Sequence, residues 1–241
     1  MEIIKNFSPN FDKKKRSINS IQIIVIHYTG MQSERESINR LCNPASKVSS
    51  HYFINQKGRV FRLVRDRYVA WHAGKSCWSK YKNLNKNSIG IELVNKGHQF
   101  GYNNFTKKQI LSLIKISKKL IKKYKIKKEN IVGHSDIAPL RKNDPGEKFP
   151  WRKLSIIGIG IWNSCNPKLL KKYRGKNVLK KSDKAQFIKS LNKIGYRFIG
   201  NGIFTFKKII SAFQRHHRTQ LINGILDKEC VIIAENLSKK L

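Results

Sequence analysis

Hydrophobic positions in the first 160 residues fall into short runs rich in β-branched residues, separated by polar turns and by helical patterns. The run IQIIVIHYTG (21–30) is continuously apolar, which is typical of a central strand buried on both faces. In SIGIELVN (88–95) the pattern alternates, so successive side chains point to opposite faces of a sheet. One face carries Ile89, Ile91 and Leu93, and the other carries Gly90, Glu92 and Val94.

Further segments complete an alternation of strands and helices. Residues 51–64 form two strand-like runs around QKGR, which predicts a hairpin. Ser33 and Glu36 have the spacing of a capping box at the start of a helix, and 106–126 place apolar residues on one stripe of an amphipathic helix. Residues 130–134 (NIVGH) predict another strand. The predicted fold class is therefore α/β, with a central mixed β-sheet flanked by helices.

The pattern changes beyond residue 160. Residues 161–181 predict a basic linker, and 182–241 contain three short helix-like segments separated by turns with glycine and asparagine. A helical unit of about 60 residues is small but within the range that folds alone. We therefore predict an α/β domain at 1–160 and, after the linker, a three-helix module with its own small core.

Charge is the most unusual feature of the composition. The chain has 51 lysines and arginines and 14 acidic residues, a formal net charge of +37. This charge predicts attraction to polyanions, but lysine is abundant together with asparagine and isoleucine, whose codons are AT-rich, so genome composition is a competing explanation. No stacking-aromatic or recognition-helix motif accompanies the charge. We therefore predict no specific nucleic-acid partner, only salt-sensitive nonspecific binding.

Cysteines and apolar segments bear on the cellular setting. The four cysteines are far apart and form no CxxC motif, which predicts neither a zinc ribbon nor a redox site and favours a reducing compartment. The first 20 residues contain no apolar stretch of signal-peptide length, and no 18-residue apolar run occurs. We expect no transmembrane segment and a cytoplasmic location. The alternative is the periplasm or cell envelope, if the N-terminus is trimmed or export is non-standard.

Acidic residues are scarce, so a carboxylate in an unusual place is informative. Glu92 lies in an apolar strand, where burying an unpaired carboxylate is costly. The alternative for Glu92 is a buried ion pair with a lysine. Asp144 lies in the polar loop GHSDIAPLRKNDPG (133–146), where the alternative is a simple turn residue before Pro145.

The histidines divide in the same way. His27 and His134 each end an apolar strand, and strand ends are where sites in α/β sheets are commonly built. Taken alone, either histidine is also explained as a hydrogen-bonded structural residue. His216 and His217 are neighbours on a predicted helix and are expected at the surface, and His98 lies in a glycine-containing loop with no functional role predicted.

His27, His134 and Asp144 together have the composition of a catalytic zinc site. Three protein ligands with one open position are the arrangement of catalytic zinc, whereas structural sites are closed by four ligands. Zinc lowers the pKa of a bound water from about 15.7 to about 7. The chemistry then needs a carboxylate that moves the proton and a cation that faces the developing oxyanion. Glu92 and Lys142 are the candidates for these two roles.

Five motifs, in this order along the chain, resemble those of a known family. They are VIHYTG, SSHYFINQKGRVFRLV, AWHAGKSCW, NSIGIELVN and VGHSDIAPLRKNDPGEKFPW, and they cover residues from about 20 to 154. The chain resembles the zinc-dependent N-acetylmuramoyl-L-alanine amidases of the amidase-2 class, in their AmiD-like form. The C-terminal segment is similar to the three-helix peptidoglycan-binding module that follows the catalytic domain in such enzymes.

By position, the resemblance assigns a role to each candidate. It makes His27, His134 and Asp144 the ligands of one zinc ion per chain, Glu92 the catalytic acid/base, and Lys142 the residue that stabilises the oxyanion. The presence of all five argues against a non-catalytic peptidoglycan binder, which is the alternative reading of the family.

The resemblance also implies a substrate and residues that bind it. Tyr28, Thr29 and His72 match positions that line the substrate groove, and Arg65 is a candidate for a carboxylate of the stem peptide, with a surface arginine as the alternative. His51 is expected to be structural. The implied activity is hydrolysis of the amide between N-acetylmuramic acid, or its 1,6-anhydro form, and L-alanine, with peptidoglycan or muropeptides as partners in cell-wall turnover or recycling.

Overall fold

The computed structural model describes residues 2–176, 178–197 and 202–241. The strands are β1 (Ile3–Lys5), β2 (Phe11–Asp12), β3 (Ile23–Tyr28), β4 (Tyr52–Ile54), β5 (Val60–Arg62), β6 (Val69–Ala70), β7 (Cys77–Trp78), β8 (Tyr81–Lys82), β9 (Ser88–Leu93) and β10 (Ile131–Gly133). The α-helices are α1 (Glu34–Cys42), α2 (Lys107–Tyr124), α3 (His134–Ile137), α4 (Trp151–Ile156), α5 (Pro167–Tyr173), α6 (Lys181–Ile194), α7 (Ile203–His217) and α8 (Lys228–Lys239).

The central sheet is mixed, as the sequence predicts. In the described part of the chain its six strands have the order β1-β5-β4-β9-β3-β10. The predicted hairpin is confirmed, since β4 and β5 pair antiparallel with Phe53 opposite Phe61. The other neighbours pair in parallel. Strands β3 and β9 both lie inside the sheet, each with a neighbour on either side, and β3 is the continuously apolar run of the sequence.

Strand β3 is buried on both faces, and each face belongs to a different apolar cluster. Ile24 and Ile26 pack in the cluster that contains Leu113 and Leu120 of α2. Their neighbours in the strand, Ile23 and Val25, point the other way, because successive side chains of a strand alternate. That second face is covered by the C-terminal helices, whose contribution includes Phe187, Phe213 and Val231.

Both predicted helices in the first domain are confirmed, and their starts are fixed locally. The Ser33 hydroxyl accepts a hydrogen bond from the Glu36 backbone N–H at the start of α1. Thr106 and Gln109 form a reciprocal capping box at the start of α2. Such caps satisfy backbone donors that a helix leaves unpaired at its N-terminus.

The three predicted C-terminal helices are present as α6, α7 and α8. Phe187 and Phe213 belong to one apolar cluster with Ile23 and Val25 of β3, so the apolar faces of these helices pack on the back of the sheet as well as on one another. A core that folds independently of the first domain stays a prediction. Helical periodicity shows that such a face exists, and only the tertiary structure shows what covers it. The predicted linker contains a helix of its own, α5.

The prediction that His216 and His217 lie at the surface is wrong. They are 3% and 2% exposed, respectively. The His216 ring stacks on Trp151 with centroids 3.9 Å apart and on His217 at 4.0 Å. Both histidines lie at the end of α7, in the contact between the C-terminal helices and the first domain. Among the described helices, none has the length and apolarity to cross a membrane.

Candidate metal centre and active-site groove

The sheet register places the two candidate histidines side by side. Strands β3 and β10 are parallel neighbours, with Ile26 paired to Gly133. The next residues along these chains are His27 and His134, so both emerge at the same edge of the sheet. The loop after α3 returns to this edge, where the Ser135 backbone N–H donates to the Asp144 carbonyl at 2.8 Å.

The three side chains predicted as metal ligands converge. The Nδ1 atoms of His27 and His134 are 3.0 Å apart, and Asp144 Oδ2 lies 3.0 Å from the first and 3.1 Å from the second. All three residues are buried. Their potential ligating atoms lie within 4.8 Å of one another, as a metal centre requires.

A chain of hydrogen bonds fixes which nitrogen of His27 faces the cluster. The Ser88 hydroxyl donates to the Leu84 carbonyl at 2.6 Å, so its oxygen accepts from His72 Nε2 at 3.1 Å. His72 Nδ1 is therefore unprotonated and accepts from His27 Nε2 at 3.0 Å. This leaves His27 Nδ1 bare and directed at His134 and Asp144.

His134 is oriented in a similar way by Ala73, the residue that follows His72 in the chain. His134 Nε2 lies 3.3 Å from the Ala73 carbonyl, which can only accept a hydrogen bond. Arg141 Nη2 also lies 3.4 Å from Nε2, but its two N–H groups donate to the carbonyls of Ala73 and Lys75, so Nε2 is the donor and His134 Nδ1 is also bare. His72 was predicted to line the substrate groove; it does so, but it is only 9% exposed and both of its ring nitrogens are engaged. Support of the candidate ligand His27 is the better description of its position.

The donor set fits a divalent cation with borderline-soft character. Two bare imidazole nitrogens and a carboxylate oxygen point at one another, which is a repulsive arrangement unless a cation lies among them. Burial and the neighbouring His134 lower the pKa of His27 to about 4, so its imidazole is neutral at pH 7. Burial alone would raise the pKa of Asp144, but in the metal-free site a proton on either Nδ1 would be shared with this carboxylate, and that interaction holds its pKa well below its ordinary value. Neutral imidazole and ionised carboxylate are the forms that bind zinc.

Glu92 lies beside this cluster, in register with His27 on the adjacent parallel strand. Within the described residues its Oε2 is enclosed and has no hydrogen-bond partner, and no lysine pairs with it. The alternative of a buried ion pair is therefore wrong for the described chain. Burial and the nearby Asp144 charge raise the pKa of Glu92 to about 8, against the opposing effect of Lys142.

The cluster opens into a groove of about 690 Å³. Tyr28 and Thr29, the candidates for substrate contact, line it together with Glu92 and the partly exposed Lys142. Arg65 does not: it is exposed, lies outside the groove lining, and its guanidinium stacks over the Phe7 ring at 5.2 Å. The structure thus supports the surface-arginine alternative for Arg65. His51 is buried and accepts a hydrogen bond from the Gly90 backbone N–H, as expected of a structural residue.

Two residues of this region were missed in the sequence. Arg141 donates to the carbonyls of Ala73 and Lys75 and so connects the WHAG segment (71–74) to the loop that contains the candidate ligand Asp144. The feature of the sequence that could have drawn attention to Arg141 is its position next to the candidate catalytic residue Lys142. His98, for which no role was predicted, lines the groove.

The hydrogen bonds of His98 connect Tyr28, which lines the groove, to Glu147, which does not. Its Nε2 donates to Glu147 at 3.0 Å, so its Nδ1 accepts from the Tyr28 hydroxyl at 2.9 Å. The ring also stacks on Tyr102, with centroids 4.5 Å apart. No sequence periodicity marks these contacts, because they join loops that are far apart along the chain.

Known proteins resemble this chain over most of its length. AmiD of Escherichia coli strain K12 is 38% identical over 233 residues, which cover 91% of this chain and 83% of that protein. AmpD of Haemophilus influenzae is 34% identical over 164 residues, covering 61% of this chain and 86% of that protein.

Solved structures agree with these relatives. The complex of E. coli AmiD with the substrate anhydro-N-acetylmuramic acid-L-Ala-D-γ-Glu-L-Lys superposes with a TM-score of 0.80 at 36% identity, over 95% of this chain and 92% of that one. AmpDh3 of Pseudomonas aeruginosa, in complex with anhydromuramic pentapeptide, gives 0.81 at 31% identity, over 95% and 94%.

The family model described as N-acetylmuramoyl-L-alanine amidase matches residues 17–147. This range contains the three converging ligand candidates and Glu92. More than half of the chain is matched, and the relative at 38% identity is itself covered over more than two thirds of its length. The chain therefore belongs to the Amidase_2 family of N-acetylmuramoyl-L-alanine amidases.

Proposed function

We propose that this chain is a zinc-dependent amidase that hydrolyses the bond between the lactyl group of N-acetylmuramic acid, or of its 1,6-anhydro form, and L-alanine of the stem peptide. The observation that carries the proposal is the placement of Glu92 at the base of an open groove, beside three buried candidate ligands. One of its carboxylate oxygens has no hydrogen-bond partner among the residues that the structure describes. A metal centre with no neighbouring base would serve binding alone.

In this proposal His27, His134 and Asp144 hold one zinc ion. When bound, zinc supplies a Lewis acid that polarises the scissile carbonyl and makes water a nucleophile near neutral pH. Glu92 accepts the proton of the attacking water and delivers it to the departing amine of L-alanine. Its raised pKa suits both steps, because a carboxyl that titrates near the working pH can take up a proton and release it.

The remaining roles belong to Lys142, to the groups that orient the two histidines, and to the wall of the groove. Lys142 lines the groove close enough to Glu92 and His27 for its charge to act on both, and it places a positive charge where the carbonyl oxygen becomes negative. His72 and the Ala73 carbonyl keep the two imidazoles in one orientation, so no reorientation is needed as the reaction proceeds. Tyr28 and Thr29 form the groove wall that faces the substrate.

The substrate class is supported by the two ligands with which the similar enzymes are described, both of them anhydromuramic acid peptides. The test is incubation of the purified chain, loaded with equimolar zinc, with anhydromuramyl peptides and with insoluble peptidoglycan, followed by mass spectrometry of the products. We expect free stem peptide that begins with L-alanine. Zinc-loaded protein that binds muropeptides but releases no stem peptide would instead identify a non-catalytic peptidoglycan binder.

A further inference from the structure

A buried carboxylate lies two residues beyond the candidate ligand His134. Asp136 is 2% exposed and belongs to the short helix α3. Its Oδ2 accepts from the Gly133 backbone N–H at 2.7 Å and contacts His216 Nδ1 at 2.7 Å, and its Oδ1 accepts from the Tyr196 hydroxyl at 2.6 Å. An ionised carboxylate is tolerated in such a place only when donors of this kind satisfy it.

Two of the three donors come from the C-terminal helices. Tyr196 follows the end of α6, and His216 lies at the end of α7. They are 60 and 80 residues away from Asp136 along the chain. Two helices of the C-terminal segment thus meet on one side chain of the ligand-bearing loop.

Both donors are held rigidly by aromatic packing. The Tyr196 ring contacts Trp78 edge to face, with centroids 4.9 Å apart. The His216 ring is stacked between Trp151 and His217. Donors in fixed positions define the position of the acceptor that they share, so Asp136 cannot move without loss of these hydrogen bonds.

The anchored helix α3 carries one ligand and is bonded to another. His134 is its first residue, and the Ala138 N–H donates to the His134 carbonyl at 3.0 Å. Ser135, between His134 and Asp136, donates its backbone N–H to the carbonyl of Asp144. A shift of Asp136 would therefore displace both His134 and Asp144.

We propose that Tyr196 and His216 are positioning residues for the metal centre. Acting through Asp136, they hold His134 and Asp144 in the geometry that binds zinc. The proposal rests on the proposed function for the identity of the metal, and it gives the C-terminal helices a role in the active site in addition to any contact with the cell wall.

The test measures zinc affinity without substrate, by competition with a chromophoric chelator, in the full-length chain. Tyr196→Phe and His216→Leu each remove one donor, and we expect the zinc dissociation constant to rise about tenfold, the lower end of the range for residues that support metal ligands. His216→Asn keeps an N–H near the position of Nδ1 and should restore most of the affinity. Circular dichroism at the measuring temperature verifies that each variant is folded.

The matched control is Leu237→Ala in α8. Leu237 is buried in the same apolar cluster, and α8 provides no donor to Asp136. This variant should lower the temperature of unfolding and leave zinc affinity unchanged. Folded Tyr196→Phe and His216→Leu proteins with the dissociation constant of the parent chain would overturn the positioning role. A parent chain that binds zinc but cleaves no muropeptide would refute the proposed function and leave the positioning role standing.

Discussion

His27 and Glu92 are register partners on adjacent parallel strands, with their Cα atoms directly paired across β3 and β9. Paired residues of neighbouring strands point to the same face of a sheet. The candidate ligand and the candidate base are thereby held side by side by backbone hydrogen bonds instead of by a mobile loop. Because the two roles belong to different side chains, metal binding by His27 and proton transfer by Glu92 can be tested separately.

Glu92→Ala should keep zinc and lose activity. Glu92 is not among the converging ligand atoms, so the zinc content after dialysis should equal that of the parent chain. Loss of a general acid–base group should lower kcat by about 10²–10⁴-fold. Asp144→Ala is the comparison variant, in which both zinc affinity and turnover should fall. Near-parental turnover by Glu92→Ala would require a different base.

Glu92→Gln should stabilise the metal-free protein, increasingly so as the pH rises. The pKa of Glu92 is raised from its ordinary 4.5 to about 8 by burial and by Asp144. Between these values the folded state keeps a proton that the unfolded chain releases, so the parent chain loses stability as pH rises. Glutamine does not ionise and avoids that loss.

Urea unfolding of chelator-treated protein at pH 5.5, 6.5 and 7.5 measures this effect. The advantage of Glu92→Gln in free energy of unfolding should grow by up to about 1.4 kcal/mol per pH unit. An advantage that stays constant over this interval would show that Glu92 is not protonated in the folded metal-free protein.

His72→Leu should weaken zinc binding, although His72 is not a predicted ligand. The substitution removes the acceptor for His27 Nε2–H and leaves a buried donor unsatisfied. We expect the zinc dissociation constant to rise about 10–100-fold. His72→Asn is the matched control, because its Oδ1 lies near the position of Nδ1 and should preserve most of the affinity. Equal affinities of the leucine and asparagine variants would contradict the orienting role.

Gly90→Ala also tests whether His72 orients His27, by displacing the His72 ring instead of removing it. A Cβ at Gly90 would lie 2.5 Å from Cγ of the His72 ring, too close for the ring to stay in place. The zinc dissociation constant should therefore rise as in His72→Leu. The effect should appear in chelator competition even when the variant unfolds at the parental temperature, and unchanged affinity would mean that His72 can move without consequence for His27.

Deletion of residues 180–241 should abolish cleavage of small soluble muropeptides as well as of insoluble wall. The C-terminal helices cover Ile23 and Val25 of the central strand and anchor Asp136, so their loss exposes an apolar face and releases the ligand loop. A separable wall-binding module would give a different result, with soluble substrates cleaved at the parental rate. Assays at two salt concentrations separate this effect from nonspecific attraction of the lysines to anionic wall polymers.

The sequence by itself determined the local elements and the identity of the candidate ligands. The apolar run of β3, the hairpin of β4 and β5, and the cap at Ser33 depend on neighbours in the chain, and the structure contains each of them. His27 and His134 were found because each ends a predicted strand, and parallel strands bring such ends together.

What the tertiary structure decided are the contacts between distant segments. Periodicity revealed that the C-terminal helices have apolar faces, but not that these faces pack on the back of β3, or that His216 is buried against Trp151. The role of His72 and the distance of Arg65 from the groove were equally invisible in the sequence. Local propensity depends on residues within a few positions, whereas the donors to Asp136 arrive from 60 and 80 residues away. Such contacts depend on the packing of the whole chain. Burying a carboxylate and its donors removes them from water, and only the folded structure brings them together so that their hydrogen bonds offset this cost.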